Sequence, residues 1–295
     1  MLTGWVDTQL QGMLRLMKIK VTSSQTGFTL TELLVTLALG MSVISSVLIG
    51  YLATYTSSMN TLAASKMNQD LNAVMNLMIT EFRRAGYSGD AATIASPTAN
   101  IFNQIDDTTL EVYDTMAGNT QLVPAGDGSW TNNFGGTPTA TEGSCIVYAY
   151  DLDEDGVVDA NELGGFRLNN GAVEMRTLGN VADPDTCSST SNTWNALTDT
   201  DFLTVSDLVF NLDNSRCINT REPDGINNDP GEDATIDEAD EADCYDTLPV
   251  AASGDITVET RQISITLTGN LASDSFVRIS MNQEVRVRND LVRIH

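Results

Sequence analysis

From Phe28 to Tyr51 the chain runs for 24 residues with no Pro, no basic residue and a single charge, Glu32. At ~1.5 Å per residue a helix of that length spans the ~30 Å hydrocarbon layer of a bilayer, so the run is predicted to be a membrane helix. A lone carboxylate near the end of such a segment is costly and calls for a partner. Directly upstream, Gly27 closes a basic leader that holds Arg15, Lys18 and Lys20. Cleavage after Gly27 would free an α-amino group at Phe28, four residues from Glu32 and on the same helical face. An amine and a carboxylate so placed can pair between neighbouring subunits.

The charge balance narrows the partners. The sequence has 40 acidic and 15 basic residues, a net charge of −25. Removing residues 1–27 takes away Asp7 and the three basic residues of the leader, which moves the balance to −27. So acidic a chain lacks the Lys and Arg that phosphate contacts need, which argues against nucleic acid as a direct partner. It suits divalent cations, basic partners or plain solubility. The residues beyond the helix suffice for one domain with its own core, and four cysteines outside the cytoplasm suggest two disulfides.

The hexapeptide Gly27-Phe28-Thr29-Leu30-Thr31-Glu32 resembles the cleavage and methylation motif of type IV prepilins and pseudopilins. A secretory signal would instead end in small residues of the Ala-x-Ala kind and be lost with its apolar core; here the core follows the cut and is kept. The resemblance implies that a prepilin peptidase cuts after Gly27 and methylates Phe28. It also implies that Glu32 neutralises the amine of an adjacent subunit during assembly. Two further segments, Glu81-Phe82-Arg83-Arg84-Ala85-Gly86-Tyr87 and Glu284-Val285-Arg286-Val287-Arg288-Asn289, resemble signatures of PilW-type minor pilins. Many major pilins carry a helix-breaking Pro near the position of Ile49, and this sequence does not.

Four segments are expected: a leader over 1–27, a membrane and assembly helix over 28–51, an amphipathic continuation over 52–86, and an extracytoplasmic β-rich domain over 87–295. In the continuation, Tyr55, Met59, Leu62, Leu71, Val74, Met78, Phe82 and Ala85 keep three-to-four spacing. No Pro occurs before Pro97, so a single rod of about 58 residues and ~85 Å is predicted. Gly40 and Gly50 are its soft points, and Gly86 is its C-cap behind Arg83 and Arg84. Beyond residue 90, short β-prone runs are predicted at Leu110–Tyr113, Cys145–Tyr150, Gly165–Leu168, Val173–Arg176 and Leu203–Leu212. The clearest are Ile256–Leu267 and Phe276–Val287, joined as a hairpin over Thr268–Asp274. The predicted class is α+β, type IV pilin-like: a long N-terminal helix packed on an antiparallel sheet domain with calcium-loop insertions.

Residues 151–162 read Asp-Leu-Asp-Glu-Asp-Gly-Val-Val-Asp-Ala-Asn-Glu. This fits the twelve-residue calcium loop at positions 1, 3, 5, 6, 9 and 12. Asp151, Asp153 and Asp155 would give side-chain oxygens, Val157 its carbonyl, Asp159 a direct or water-mediated contact, and Glu162 two oxygens. Gly156 permits the turn. The oxygens suit calcium rather than zinc, since the one His is His295. A strand rather than a helix precedes the loop, so a structural clip is expected instead of a helix-opening sensor. A second acidic stretch, 222–246, holds eleven acids and resembles a calcium loop with an insertion. Its candidate ligands are Asn227, Asp229, Asp233, Asp237 and Asp240, with a solvated acidic loop as the other reading. The cysteines bracket both stretches. Of three possible pairings, Cys145–Cys187 with Cys217–Cys244 encloses one acidic stretch in each bridge.

Catalysis is not expected: the one His, the terminal residue His295, nearly excludes Ser-His-Asp and Cys-His sites, and no Gly-rich phosphate loop or Cys-x-x-Cys occurs. By resemblance the chain is a minor pilin held in the inner membrane with its domain in the periplasm. It would join other pilins and minor pilins to prime a type IV pilus, near whose tip it would sit. A minor pseudopilin of a type II secretion system shares the same N-terminal machinery, and a tip-presented adhesin is the binding-module alternative.

Overall fold

The computed structural model describes residues 27–92, 99–104, 107–113, 123–124, 130–131, 142–219 and 256–294. The chain divides into two compact units, Met1–Met59 and Asn60–His295. One α-helix, α1 (Leu30–Phe82), contributes residues to both and passes Gly40 and Gly50 without a break.

In the first unit every described residue is exposed, including Leu33, Val43, Val47, Leu48 and Ile49. The stretch is long and apolar enough to cross a membrane. Three of its hydroxyls are satisfied within the helix: Thr36 donates to Leu33 O (3.0 Å), Ser42 to Leu39 O (2.8 Å) and Ser46 to Val43 O (2.8 Å). Hydroxyls that return their donors to the same helix lower the cost of placing them in hydrocarbon.

The second unit is α+β. Its strands in chain order are β1 (Glu111–Tyr113), β2 (Val123–Pro124), β3 (Trp130–Thr131), β4 (Glu142–Gly143), β5 (Cys145–Ala149), β6 (Leu163–Asn169) and β7 (Ala172–Leu178). They continue with β8 (Thr193–Ala196), β9 (Leu203–Asn211), β10 (Arg216–Asn219), β11 (Ile256–Thr260), β12 (Gln262–Leu271), β13 (Asp274–Arg286) and β14 (Leu291–Ile294). All pairings among them are antiparallel. The strand orders are β1-β5-β6-β7-β8, β13-β12-β9-β4, β10-β11-β14 and β2-β3.

The helix face at Met67, Leu71, Val74, Met75, Met78 and Phe82 is buried in one core with both larger sheets. Ile146, Tyr148 and Phe166 come from the five-stranded sheet, and Leu203, Val205, Leu208, Phe210, Ile263, Ile265 and Leu267 from the four-stranded one. Phe82 stands at the junction, its ring edge-on to Tyr148, Phe166 and Phe210 at centroid distances of 5.7, 5.5 and 5.8 Å. In β9 and β12, burial alternates residue by residue, the period-two pattern of a sheet with one covered face.

The structure corrects several expectations. The buried face of α1 begins at Met67; Tyr55, Met59 and Leu62 keep helical spacing but are exposed, because sheet residues cover the helix only beyond them. The helix stops at Phe82, and Arg83–Gly86 form a turn in which Gly86 takes φ +74°, the left-handed cap position. The predicted strand 256–267 is two strands broken at Arg261. There the chain passes from one sheet to another, β11 pairing with β10 and β14 and β12 with β9 and β13, and the Arg261 side chain turns inward to Glu259 (2.5 Å), Thr109 Oγ1 (3.0 Å) and the Leu110 carbonyl. The hairpin turn is Ala272–Ser273, with Leu271 paired to Asp274. Gly269 and Asn270 lie inside β12, where a Cβ on Gly269 would come within 2.6 Å of Leu203 Cδ1. The short strands β2, β3, β4, β8, β10 and β14 carry too few residues for a legible alternation.

The two segments singled out near the chain's ends meet. Asn289 Nδ2 donates to Ala85 O (2.9 Å), and Val285 and Val287 are buried in the same core as Phe82. Asn100 Nδ2 donates to Gly86 O (2.8 Å). Side chains thus close carbonyls that the helix end leaves open.

Candidate functional site

At the N-terminal motif, Thr29 precedes the first helical residue and Glu32 is the third residue of the helix. Thr29 N and Oγ1 donate to Glu32 Oε2 (3.0 and 2.9 Å), and Glu32 N donates to Thr29 Oγ1 (3.3 Å). This reciprocal arrangement is a capping box, encoded by the Thr-x-x-Glu spacing. The Glu32 carboxylate, expected to act in assembly, thus closes its own helix end. Gly27 and Phe28 lie just before the helix, with Phe28 fully outside any core.

The acidic loop follows β5 and ends in a 3₁₀ turn, Ala160–Glu162, that leads into β6. Carboxylate oxygens of Asp151, Asp153 and Asp155 lie within 4.8 Å of one another. Asp151 is 2% exposed; Asp153 and Asp155 face solvent. Asp151 Oδ2 accepts from Gly89 N (2.9 Å) and Gly156 N (3.3 Å), whereas its Oδ1 is buried without a hydrogen-bond partner. The turn is made by Gly156 at φ +71°, with Glu154 also left-handed at φ 65°. Val157 N donates to Asp155 Oδ1 (2.8 Å).

Glu162, expected to close the site with two oxygens, is buried at the end of the loop. Its Oε1 accepts from Leu152 N (2.7 Å) and its Oε2 from Asp159 N (2.9 Å), so both oxygens are engaged in shaping the loop from within. The three-carboxylate group comprises Asp151, Asp153 and Asp155, without Asp159 or Glu162. Residues outside the loop also contribute. Asp151 N donates to Tyr87 O (2.9 Å), Tyr87 OH donates to Glu154 Oε1 (3.2 Å), and Asp90 Oδ2 lies 2.7 Å from where a Cβ on Gly156 would stand. No local signal in the sequence marks Tyr87 and Asp90, because they reach the loop only once the helix end has docked.

Cys145 and Cys187 are bonded, as one of the three pairings anticipated. The bridge lies beside Arg176, which is 1% exposed and enclosed by carbonyls: Leu163 O (3.0 Å), Gly164 O (2.8 Å), Pro184 O (2.7 Å) and Thr186 O (3.2 Å). Burial pulls its guanidinium down to about 10. Arg167 donates to Cys187 O (2.8 Å) and pairs with Glu174 (2.7 Å). Cys217 is also disulfide-bonded. Cys244 and the second acidic stretch, with Asn227, Asp229, Asp233, Asp237 and Asp240, lie outside the described residues.

Comparison with known proteins is consistent with this geometry. Residues 60–287, well over half the chain, match the family described as prepilin peptidase-dependent protein B. The chain belongs to this family. Residues 22–48 match the prokaryotic N-terminal methylation motif, a span that contains Gly27, Phe28 and Glu32. The family match begins one residue after the first compact unit ends, and includes the buried half of α1, the five-stranded sheet and the Asp151 loop. No curated protein and no solved structure matches the chain. A prepilin peptidase-dependent protein with this motif is pilin-like and depends on the peptidase as a partner, and its apolar helix is long enough to cross a membrane.

Proposed function

We propose that this prepilin peptidase-dependent protein is a minor pilin of a type IV pilus, of the PilW type, that primes assembly and sits at or near the fibre tip. The peptidase cuts after Gly27 and methylates Phe28. The mature chain waits in the inner membrane on residues 28–51 with its acidic domain in the periplasm, and it then joins other pilins and minor pilins. Glu32 supplies the driving contact. In hydrocarbon an unpaired carboxylate and an unpaired amine are both costly, so pairing Glu32 with a neighbour's Phe28 amine favours helix–helix association.

The observation that carries this reading is the methylation motif placed at the head of a stretch, residues 28–51, whose apolar side chains are all uncovered and whose only charge is Glu32. The contact between Ala85 and Asn289 supports the PilW subtype, since it joins the two segments that resemble that subtype. The test is made in cells with the full chain. The processed protein should begin at methylated Phe28, and Glu32→Ala should insert into the membrane normally yet fail to enter sheared pili. Normal entry of Glu32→Ala, or a mature terminus elsewhere, refutes the assembly role. Intact pili with defective export of folded proteins in a deletion strain would refute the pilus and select the pseudopilin.

A further inference from the structure

We propose that the loop after β5 binds one calcium ion through Asp151, Asp153 and Asp155, and that this ion fastens the end of α1 to the five-stranded sheet. The inference concerns the globular unit and stands independently of the pilus reading.

Three carboxylates with oxygens inside 4.8 Å repel one another unless a cation lies among them. Among the described residues no Lys or Arg pairs with any of the three. The independent sign of a ligand is Asp151. Its side chain is withdrawn from water, one oxygen is held by Gly89 and Gly156 amides, and the other has no donor at all. A buried carboxylate oxygen left without a partner is the kind of group that a metal ion satisfies. Asp153 and Asp155, exposed on the outer side, leave a route from solvent. The donors are hard oxygens on a loop with flexible spacing, the chemistry of calcium; magnesium demands a tighter octahedron and would bind less well.

The coupling to the helix follows from where Asp151 is tied. Its carboxylate receives the Gly89 amide, its own amide donates to Tyr87 O, and Gly86 N donates to Ala149 O (2.8 Å) at the end of β5. The segment 86–89 that follows α1 is thus bonded to residues that carry the site. An ion that fixes Asp151 fixes that segment too.

The experiment uses the purified full chain in detergent, stripped of metal and titrated with calcium chloride by calorimetry. The wild type is expected to bind with a dissociation constant on the order of 10⁻⁴ M. Asp153→Asn/Asp155→Asn, both at exposed positions, should lose one calcium equivalent or weaken it by about tenfold or more. This double variant keeps the proposal testable should Asp151→Asn fail to fold, and counting equivalents separates this loop from any binding elsewhere. Hydrogen exchange at Gly89 should slow on calcium addition in the wild type and not in the double variant. Equal stoichiometry and affinity in wild type and variant, or no binding by the wild type at millimolar calcium, overturns the site. Gly89 exchange that ignores calcium in the loaded protein overturns the fastening.

Discussion

Replacing Phe82 by Ala tests whether one side chain binds the helix to both sheets. The ring is fully buried, and removal of a Phe from such a position costs about 3–5 kcal/mol through lost transfer energy and the cavity left behind. Three edge-on aromatic neighbours, each worth ~0.5–1.5 kcal/mol beyond area, place Phe82 at the upper end, near ~5 kcal/mol. Phe82→Leu keeps most of the volume and loses only the ring geometry, for a cost of ~1.5–3 kcal/mol. For a unit the size of Asn60–His295, each kcal/mol lowers the melting temperature by ~2–4 °C, so the Ala variant should melt ~10–20 °C lower. Near-ultraviolet circular dichroism of the full chain in detergent follows the aromatic cluster directly. A double-mutant cycle with Phe166→Leu should return ~1 kcal/mol of coupling. A cost below about 1.5 kcal/mol for Phe82→Ala, or zero coupling in the cycle, would refute the central place given to this ring.

Two other outcomes are expected. Cys145→Ala/Cys187→Ala opens a loop of sequence separation 42 and should lower stability by about 4 kcal/mol on the chain-entropy estimate; an unchanged denaturation midpoint would count against it. Alkaline stability should be governed by buried phenols. Burial raises Tyr113 and Tyr148 well above the ordinary value of 10.0, and burial, then the neighbouring Glu81 carboxylate, raises Tyr150 to about 12. A group whose folded value is raised contributes stability fully present below pH 10 and lost as pH rises through the folded value. Unfolding free energy should therefore fall from pH 10 to about 12, less steeply in Tyr150→Phe, with tyrosinate absorbance appearing together with unfolding rather than before it.

Much of this architecture could be read from local pattern because its determinants are local. The apolar run, the absence of Pro before Pro97 and the glycine after Arg84 specify a helix and its stop without reference to the rest of the chain. Alternation in β9 and β12 did the same for two central strands. What escaped was set by distant partners. Arg261 looks like one more polar position in an alternating strand, yet its guanidinium is drawn inward to Glu259 and Thr109, and the strand breaks there. Asp151, Asp153 and Asp155 come together as their spacing suggested. Glu162 stands at its position in the same pattern, and its oxygens accept from backbone amides of Leu152 and Asp159 within the loop, a placement that spacing alone does not specify. Tyr87 and Gly89 became part of the site only through tertiary docking, which no spacing rule encodes.

The bond between Asn289 and Ala85 joins residues 204 positions apart. During synthesis the last turn of α1 leaves the ribosome long before the asparagine that closes it. Until then its open carbonyls lack this partner, and the face from Met67 to Phe82 lacks the cover that Val285 and Val287 give it. Contacts of such long range form late and slowly. A chain interrupted before Asn289 would leave this end unfinished, so its closure reports that translation has passed β13.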